Sequence, residues 1–280
     1  MNRQTQIEQA HAFRRMHDRR NVLLLPNCWD AGSARLFAQR GFAAIATTSA
    51  GVAWSLGHAD GERAPLAEVL GAIARITRAA GVPVTADIET GYGDAPPDVA
   101  ATVQSVIAAG AVGVNLEDGM PGHGPLRDVA DASARIRAAR SAADASGVPI
   151  VINARVDLWM HPVDAGPAAC LAEAVDRAKA YLAAGADCVY PIGLGDPATL
   201  AALVQAIDAP VNVMAGAGGM TDLAALRRLG IARVTTATRL ATLAFAAVDR
   251  VVANMQAHGN FDGLQADFTY ADAQRLFEPD

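Results

Sequence analysis

Two pairs of acidic residues end short apolar runs and could bind a metal ion. Asp87 and Glu89 end the run VPVTADIE, and Glu117 and Asp118 end the run VGVNLED. Because side chains alternate along a strand, we expect Asp87 and Glu89 to point the same way. Converging acids repel each other unless a cation lies among them, and an oxygen-only ligand set is typical of Mg²⁺. The pattern favours a magnesium site, and a ring of ion pairs is the structural alternative.

A residue suited to bind a substrate carboxylate follows the next run. Arg155 lies between Asn153 and Asp157 at period-two spacing, and its planar guanidinium matches the shape of a carboxylate. Imine chemistry is close to excluded, because the single lysine, Lys179, lies in a stretch of helical character where we expect it to be exposed. An enolate would therefore be stabilised by a metal or by hydrogen bonds.

The composition excludes several classes of protein. Lys and Arg number 23 against 29 Asp and Glu, a net charge of −6 without a basic stripe for nucleic acid. Three scattered cysteines are too few for a disulfide framework or a zinc site. The polar first twenty residues do not resemble a signal peptide, and no apolar stretch is long enough to span a membrane. We expect a cytoplasmic protein that acts on a small molecule, with neither nucleic acid nor membrane as a partner.

These residues need a scaffold of parallel strands to bring them together. Eight short runs rich in β-branched residues alternate with stretches of helical character, and five of these stretches end in a glycine suited to a left-handed C-cap. Eight alternations predict a closed (β/α)₈ barrel, with an open doubly wound sheet as the alternative. The runs cover residues 22–26, 42–48, 82–89, 112–118, 149–155, 187–193, 210–216 and 232–238.

The chain is predicted to form one domain over residues 1–280. We expect the barrel core at about 20–257, an extra N-terminal helix within 1–20 and a C-terminal helical extension over 258–280. Its last helix, near 270–277, begins with Thr269 and Asp272 at the spacing of a capping box.

Four segments resemble the isocitrate lyase/phosphoenolpyruvate mutase superfamily. They read TTSAGVAWSLGHAD, ADIETGYGD, VNLEDG and INARVDLW, and the resemblance runs from about residue 20 to 250. It implies a barrel whose last helix packs on a neighbouring subunit, giving dimers or tetramers. It also implies Mg²⁺ held by Asp87, Glu89 and Glu117, mostly through waters, with Asp60 nearby as a catalytic residue.

The resemblance also assigns substrate contacts. Ser49, Ala50 and Gly51 correspond to positions that hold the carboxylate and keto oxygens of the substrate, partly through backbone N–H groups, and Arg155 corresponds to the substrate arginine. Mg²⁺ and these donors would stabilise the enolate left when the bond beside the carbonyl breaks. Asn212 is a further candidate for substrate binding, or it could satisfy backbone near the barrel rim.

The chain departs from the superfamily in the loop after the fourth strand. The lyases carry Lys-Cys-Gly-His there, whereas this chain reads EDGMPGHGPLRD and offers His123, either as the replacement acid/base or as an exposed loop histidine without a role. Cys28 fits a small buried thiol better than a catalytic one. Pro191-Ile192-Gly193 stands where methylisocitrate-type lyases have a Glu, and Glu89 stands where Asp is usual.

The function predicted first is Mg²⁺-dependent C–C bond cleavage, by retro-aldol reaction or decarboxylation, of a small 2-hydroxy or 2-keto acid. The second is carbon–phosphorus chemistry on a phosphonopyruvate-type substrate, as a mutase or hydrolase. A phosphate site at Gly216–Gly219 with Thr238 and Arg239, and a barrel that binds α-keto acids without catalysis, are the remaining alternatives.

Overall fold

The computed structural model describes residues 2–161, 166–219 and 221–278 and shows strands alternating with helices. The strands are β1 (Leu23–Leu25), β2 (Asn27–Cys28), β3 (Ile45–Thr47), β4 (Val84–Asp87), β5 (Gly113–Glu117), β6 (Val151–Val156), β7 (Cys188–Pro191), β8 (Asn212–Met214) and β9 (Arg233–Thr235). The helices are α1 (Arg3–Met16), α2 (Ala31–Gln39), α3 (Ser49–Ser55), α4 (Leu66–Ala80), α5 (Pro96–Ala108), α6 (Val129–Ser146), α7 (Gly166–Ala183), α8 (Pro197–Ile207), α9 (Leu223–Arg228), α10 (Arg239–His258) and α11 (Tyr270–Phe277).

The strands form a closed parallel barrel. Strands β2 to β7 pair in chain order, and β1, β9 and β8 pair in a second run. Pro26, which has no N–H to donate, separates β1 from β2, so that these two are halves of one barrel strand. A parallel bridge between Val189 and Val211 joins β7 to the β8 side. The predicted (β/α)₈ barrel is confirmed, although each strand is shorter than its apolar run.

Helix α1 closes the N-terminal end of the barrel. The Gln6 amide donates to the carbonyls of Ile107 and Ala111 at 2.7 and 3.0 Å, and Arg14 forms an ion pair with Asp187. Phe13 is fully buried below the barrel, and a Cβ at Gly113 would lie 2.9 Å from its ring. The extra N-terminal helix predicted from the sequence is therefore an integral part of the fold.

Helix boundaries follow the local signals in the sequence. Asp30 caps α2, and its carboxylate accepts from the Ser33 N–H at 2.7 Å. Thr269 and Asp272 form the predicted capping box of α11. The five predicted glycine stops all have positive φ: Gly41, Gly81, Gly110, Gly185 and Gly230. Lys179 is exposed on α7, as predicted.

The C-terminal helix α10 presents an apolar surface to solvent. Ala241 is its one buried residue, whereas Leu243, Val248 and Val252 are exposed. Phe245 is half exposed and packs edge-on against Trp54 of α3, with ring centroids 6.0 Å apart. We call the exposed side chains Leu243, Phe245, Val248 and Val252 the α10 stripe. Within the described residues, no helix has the length and apolar character needed to cross a membrane.

The barrel end closed by α1 contains a histidine that favours its neutral form. His17 follows α1, its Nδ1 lies 2.9 Å from the Phe13 carbonyl, and its ring packs edge-on against Phe13. Burial, Arg233 and Arg14 together lower the pKa of His17 to about 3, and the hydrogen bond with the Phe13 carbonyl opposes them. The folded protein therefore holds this imidazole neutral at pH values where an unfolded chain would protonate it.

We predict that His17→Gln weakens the acid sensitivity of the fold. Below about pH 6.5 the unfolded chain binds a proton that the folded chain does not, so this group lowers the free energy of unfolding as the pH falls towards 3. The maximum slope is about 1.4 kcal/mol per pH unit. Urea unfolding of wild type and variant between pH 7 and 4.5 measures the difference. His11→Gln, exposed on the same helix, is the control; equal slopes in all three proteins would contradict the prediction.

Candidate active site

A small cavity of about 240 Å³ opens at the C-terminal ends of the strands. This is the end at which (β/α)₈ barrels build their sites, and the volume lies below the ≈ 300–1,000 Å³ common for ligand pockets. The cavity therefore suits a small substrate. Its walls are formed by Asn27, Thr48, Ser49, Asp60, Asp87, Asn115, His123, Arg155, Met160, Tyr190, Ile192, Gly193, Met214, Thr235, Ala237 and Thr238.

Asp87 reaches the cavity, but Glu89 turns away from it. Strand β4 ends at Asp87, and Glu89 has a left-handed backbone with φ 50°. The Glu89 carboxylate accepts from the Glu62 N–H at 2.7 Å and from the Tyr92 hydroxyl at 3.1 Å. Side chains alternate only along an extended backbone, which ends before Glu89. The expectation that the Asp87 and Glu89 carboxylates point the same way is therefore wrong.

The carboxyl groups at this end of the barrel raise one another's pKa values. Burial raises the pKa of Asp87, an effect that Arg155 opposes and Asp60 reinforces. Burial, with the charges of Asp87 and Asp60, raises the pKa of Glu89 to about 7. Burial also raises the pKa of Glu117. Negative charge is therefore concentrated here, and a cation would stabilise it.

Arg155 is held in one orientation by two carboxylates. Its Nε and Nη2 donate to the two oxygens of Asp157 at 2.6 and 2.7 Å, and its Nη1 donates to Glu117. Burial alone would lower the pKa of Arg155, but Glu117 and Asp157 outweigh it and raise the pKa, so the guanidinium stays charged. Of its five N–H donors, these bonds use three. Two remain for a ligand in the cavity.

Asp118 supports this arrangement from outside the cavity. Its carboxylate accepts from the Asp157 N–H at 2.8 Å, from the Tyr181 hydroxyl at 2.7 Å and from Arg177 at 3.2 Å. Asp118 is buried, and Arg177 and Tyr181 lie on α7. The second acid of the Glu117-Asp118 pair therefore anchors the strand end to a helix.

His123 and Asp60 face each other across the cavity mouth. The His123 Nε2 lies 3.5 Å from the Asp60 carboxylate, and both residues line the cavity. Their loops touch, because a Cβ at Gly61 would lie 2.9 Å from the Gly122 Cα. His123 has a left-handed backbone with φ 59°. The structure thus brings the proposed replacement acid/base to the site.

The segment Ser49 to Gly51 forms the first turn of α3. Ser49 lines the cavity, and its N–H points to the Asp87 carboxylate at 3.5 Å. Ala50 and Gly51 are buried behind it. A Cβ at Gly51 would lie 2.6 Å from the Thr48 side chain and 2.8 Å from the Trp29 Cβ, so packing alone requires the glycine.

Two other candidates lie outside the cavity wall. Asn212 is fully buried one step below it, and its amide donates at 3.2 Å to Thr235, which does line the cavity. Asn212 therefore supports a wall residue. Burial raises the pKa of the fully buried Cys28, so this thiol stays protonated, in agreement with a structural role.

Several wall residues escaped the sequence reasoning. Asn115 lies two positions before Glu117 on β5, and Tyr190 is the register partner of Arg155 on β7. Period-two alternation from Glu117 would have identified Asn115. It could not have identified Tyr190, whose place beside Arg155 depends on the register between β6 and β7. Asn27, Met214 and Thr235 carried no comparable signal, because their positions depend on how short strands pair around the barrel.

The fit to a divalent ion can be judged from the carboxylates themselves. Asp87 accepts only long contacts, at 3.3 Å from Glu89 N–H and 3.5 Å from Ser49 N–H, which leaves its oxygens available. Glu89 and Glu117 are engaged as described above. No three His, Cys, Asp or Glu side chains among the described residues are grouped to hold an ion directly. The arrangement fits an ion held by one carboxylate and waters, a mode that Mg²⁺ favours.

A barrel with acids and a fixed arginine at its mouth is typical of α/β enzymes that act on small anions. Residues 13–256 match the family model described as phosphoenolpyruvate phosphomutase. The chain belongs to this family, and its resemblance to the phosphoenolpyruvate mutase/isocitrate lyase superfamily is confirmed.

Similar proteins include both lyases and mutases. The chain is 33% identical over 233 residues to the 2-methylisocitrate lyase of Escherichia coli (strain K12), covering 81% of this chain and 76% of that protein. A Burkholderia cenocepacia J2315 structure, assigned provisionally as a lyase/mutase, is 39% identical with a TM-score of 0.90 and coverage of 98% and 97%. A 2,3-dimethylmalate lyase structure is 27% identical with a TM-score of 0.83 and coverage of 96% and 94%.

We predict that Asp118→Asn destabilises the protein by about 1–3 kcal/mol, because the buried Arg177 loses one of its two anionic partners and retains Glu173. Urea unfolding measures the loss. Asp144→Asn is the control, since Asp144 is mostly exposed and lies 3.9 Å from Arg140, and we expect less than about 0.5 kcal/mol there. Equal effects of the two substitutions would show that Asp118 does not anchor the site.

Proposed function

We propose that the protein is a Mg²⁺-dependent lyase that cleaves a C–C bond of a small 2-hydroxy or 2-keto carboxylic acid through an enolate. The observation that carries the proposal is the buried Arg155, which is fixed by Asp157 and keeps two N–H donors for a ligand. A rigid guanidinium in a small cavity is suited to orient a short carboxylic acid.

Asp87 is the carboxylate best placed to hold Mg²⁺, with Glu89 and Glu117 acting mostly through waters. When bound, the ion would supply electrophilic stabilisation of negative charge on the substrate oxygen. Ser49, whose N–H already points to Asp87, would hold the keto or carboxylate oxygen on that side. Arg155 would orient the carboxylate from the opposite side.

His123 is proposed to move the proton. Its imidazole lies at the cavity mouth, and the Asp60 carboxylate at 3.5 Å would orient the ring. The Lys-Cys-Gly-His loop is absent from the chain, and Ile192 lines the cavity where methylisocitrate-type lyases place a Glu. Strict isocitrate or methylisocitrate cleavage is therefore not proposed.

Carbon–phosphorus chemistry on a phosphonopyruvate-type substrate is the second candidate. It is favoured by the match to the phosphoenolpyruvate phosphomutase family over most of the chain. The same arginine and acids could serve a phosphonate, which like a carboxylate offers two oxygens to the planar fork of an Arg guanidinium. The location in the cytoplasm stays a prediction.

We predict that the wild-type protein releases a 2-keto acid from malate-type or oxaloacetate-type diacids with Mg²⁺, and that EDTA abolishes the activity. Asp87→Asn should lower kcat/KM at least 100-fold, because a charge beside the reacting oxygen is lost. Asp94→Asn is the control, since Asp94 follows the same strand and is exposed. A coupled assay for pyruvate or glyoxylate measures the rates.

Assays with phosphonopyruvate, oxalate and pyruvate beside these diacids separate the alternative functions. Turnover of phosphonopyruvate alone would replace the proposal with carbon–phosphorus chemistry. Binding of oxalate or pyruvate without turnover of any compound would indicate a non-catalytic binder. Activity that survives both EDTA and Asp87→Asn would contradict the assignment of the metal.

We also propose that the protein forms homodimers or homotetramers through the α10 stripe. All four of its apolar side chains are more than half exposed, at 64% for Leu243, 53% for Phe245, 62% for Val248 and 53% for Val252. Phe245, Val248 and Val252 follow one another at three- and four-residue spacing and so share one face of the helix, and an exposed apolar face of this kind is typical of a protein interface.

We predict that light scattering after size exclusion gives a mass of two or four times 28.9 kDa. The double substitution Val248→Arg and Val252→Arg should shift the protein to monomer, because it places charge in the interface. Gln104→Arg, exposed on α5 and outside the α10 stripe, should leave the mass unchanged. A monomeric wild-type protein at micromolar concentration would end the proposal.

A further inference from the structure

The cavity has an acidic side and a side rich in hydrogen-bond donors. Asp60 and Asp87 lie on the acidic side, where the metal is proposed. Arg155 and Tyr190 lie on the neighbouring strands β6 and β7 and are register partners. Adjacent strands are about 4.8 Å apart, and partners in register present their side chains to the same face. Tyr190 therefore stands beside the substrate arginine.

The hydroxyl of Tyr190 is buried without a hydrogen-bond partner among the described residues. It lies near the Thr235 side chain, another wall residue, but not at hydrogen-bond geometry. Buried tyrosine hydroxyls usually find a partner, because an unsatisfied buried polar group costs about 1–3 kcal/mol. A phenylalanine would fill the same space without that cost. The hydroxyl is therefore best explained by a ligand.

The surroundings of Tyr190 favour an anionic acceptor. Burial raises the pKa of Tyr190 to about 12, against the opposing effect of Arg155, so the hydroxyl is a neutral donor at pH 7. Arg233 is fully buried below the cavity floor, and it donates to Asn115 at 3.2 Å. Within the described residues it forms no ion pair with a carboxylate. Arg233 thus adds uncompensated positive charge below this side of the cavity, and Arg155 adds N–H donors to its wall.

We propose that Tyr190 is a specificity-determining residue that donates to the carboxylate held by Arg155, so that the site selects short dicarboxylic acids over monocarboxylic acids. This inference rests on the proposed function and narrows its substrate class. One end of the diacid lies near Ser49 and Asp87, where the keto or hydroxyl group reacts. The distal carboxylate accepts from the two free Arg155 N–H groups and from the Tyr190 hydroxyl.

The geometry also explains why the distal group is a carboxylate. Asp60 and Asp87 repel a second carboxylate on their own side, whereas Arg155 and Arg233 attract it on the other side. Met160, Ile192 and Met214 line the cavity and leave space for small apolar substituents but offer no charge to a longer polar group. A monoacid bound at the Ser49 end would leave the Tyr190 hydroxyl unpaired.

The test compares ligand affinities in Tyr190→Phe and wild type. Calorimetry in Mg²⁺ buffer is performed with succinate and malate as diacids and with pyruvate as the monoacid. Because a hydrogen bond to a charged group is lost, we expect diacid affinity to fall about tenfold or more and pyruvate affinity to change less than about twofold. Tyr270→Phe is the control, since Tyr270 is exposed on α11 and does not line the cavity; it should leave the ratio of affinities unchanged.

Equal affinity changes for diacids and pyruvate, or no change for either, would overturn the inference. A crystal structure of wild type with succinate gives a second test that does not depend on the variant's folding: a Tyr190 Oη to carboxylate distance above about 3.5 Å would also overturn it. Binding is measured without turnover, so the two proposals can fail separately. Selective loss of diacid affinity in a protein that cleaves no diacid would support this inference and contradict the lyase activity. Diacid cleavage by a protein whose Tyr190→Phe variant keeps its diacid affinity would support the lyase activity and contradict this inference.

Discussion

The candidate site depends on one buried ion pair, in which Asp157 holds Arg155 through two parallel hydrogen bonds. Removing a guanidinium from water is costly, so it is tolerated only where carboxylates compensate the charge and the geometry is good. Glu117 supplies further compensation, and Asp118 positions the Asp157 backbone. Because Arg177 and Tyr181 on α7 bind Asp118, this helix determines the direction of the Arg155 side chain at the opposite edge of the strand.

A second constraint is the strained backbone around the mouth. Glu62, Glu89, Tyr92 and His123 all have positive φ without being glycine, a conformation that costs of order 1–3 kcal/mol per residue. Glu62 holds this region together: its N–H donates to Glu89, and its carboxylate accepts from the Thr90 hydroxyl and the Tyr92 N–H. Arg135 on α6 binds the carbonyls of Thr90, Gly93 and Asp94 from behind. The barrel thereby stabilises loops that would not adopt this form alone.

The two ends of the barrel have different physical roles. The N-terminal end is closed by α1, with Phe13 packed under the strands and Arg14 paired with Asp187. The C-terminal end remains open and concentrates carboxyl groups whose burial raises their pKa values. Arg233 lies between the two ends without a carboxylate partner among the described residues and adds positive charge beneath the cavity. The site is thus electrostatically divided, with acids on one side and donors on the other.

The sequence alone determined the barrel, the helix caps at Asp30 and Thr269, and the placement of Asp87, Arg155 and His123 at one end. Periodicity, capping and glycine stops act over a few residues, so a single chain displays them. The tertiary structure decided the rest: Glu89 turns aside, Glu117 pairs with Arg155, Asn212 lies below the wall, and Tyr190 lies beside the arginine. Those outcomes depend on which distant side chain is the nearest partner in a crowded interior. Local patterns carry no information on that choice, because it is made by strands that meet only when the barrel closes.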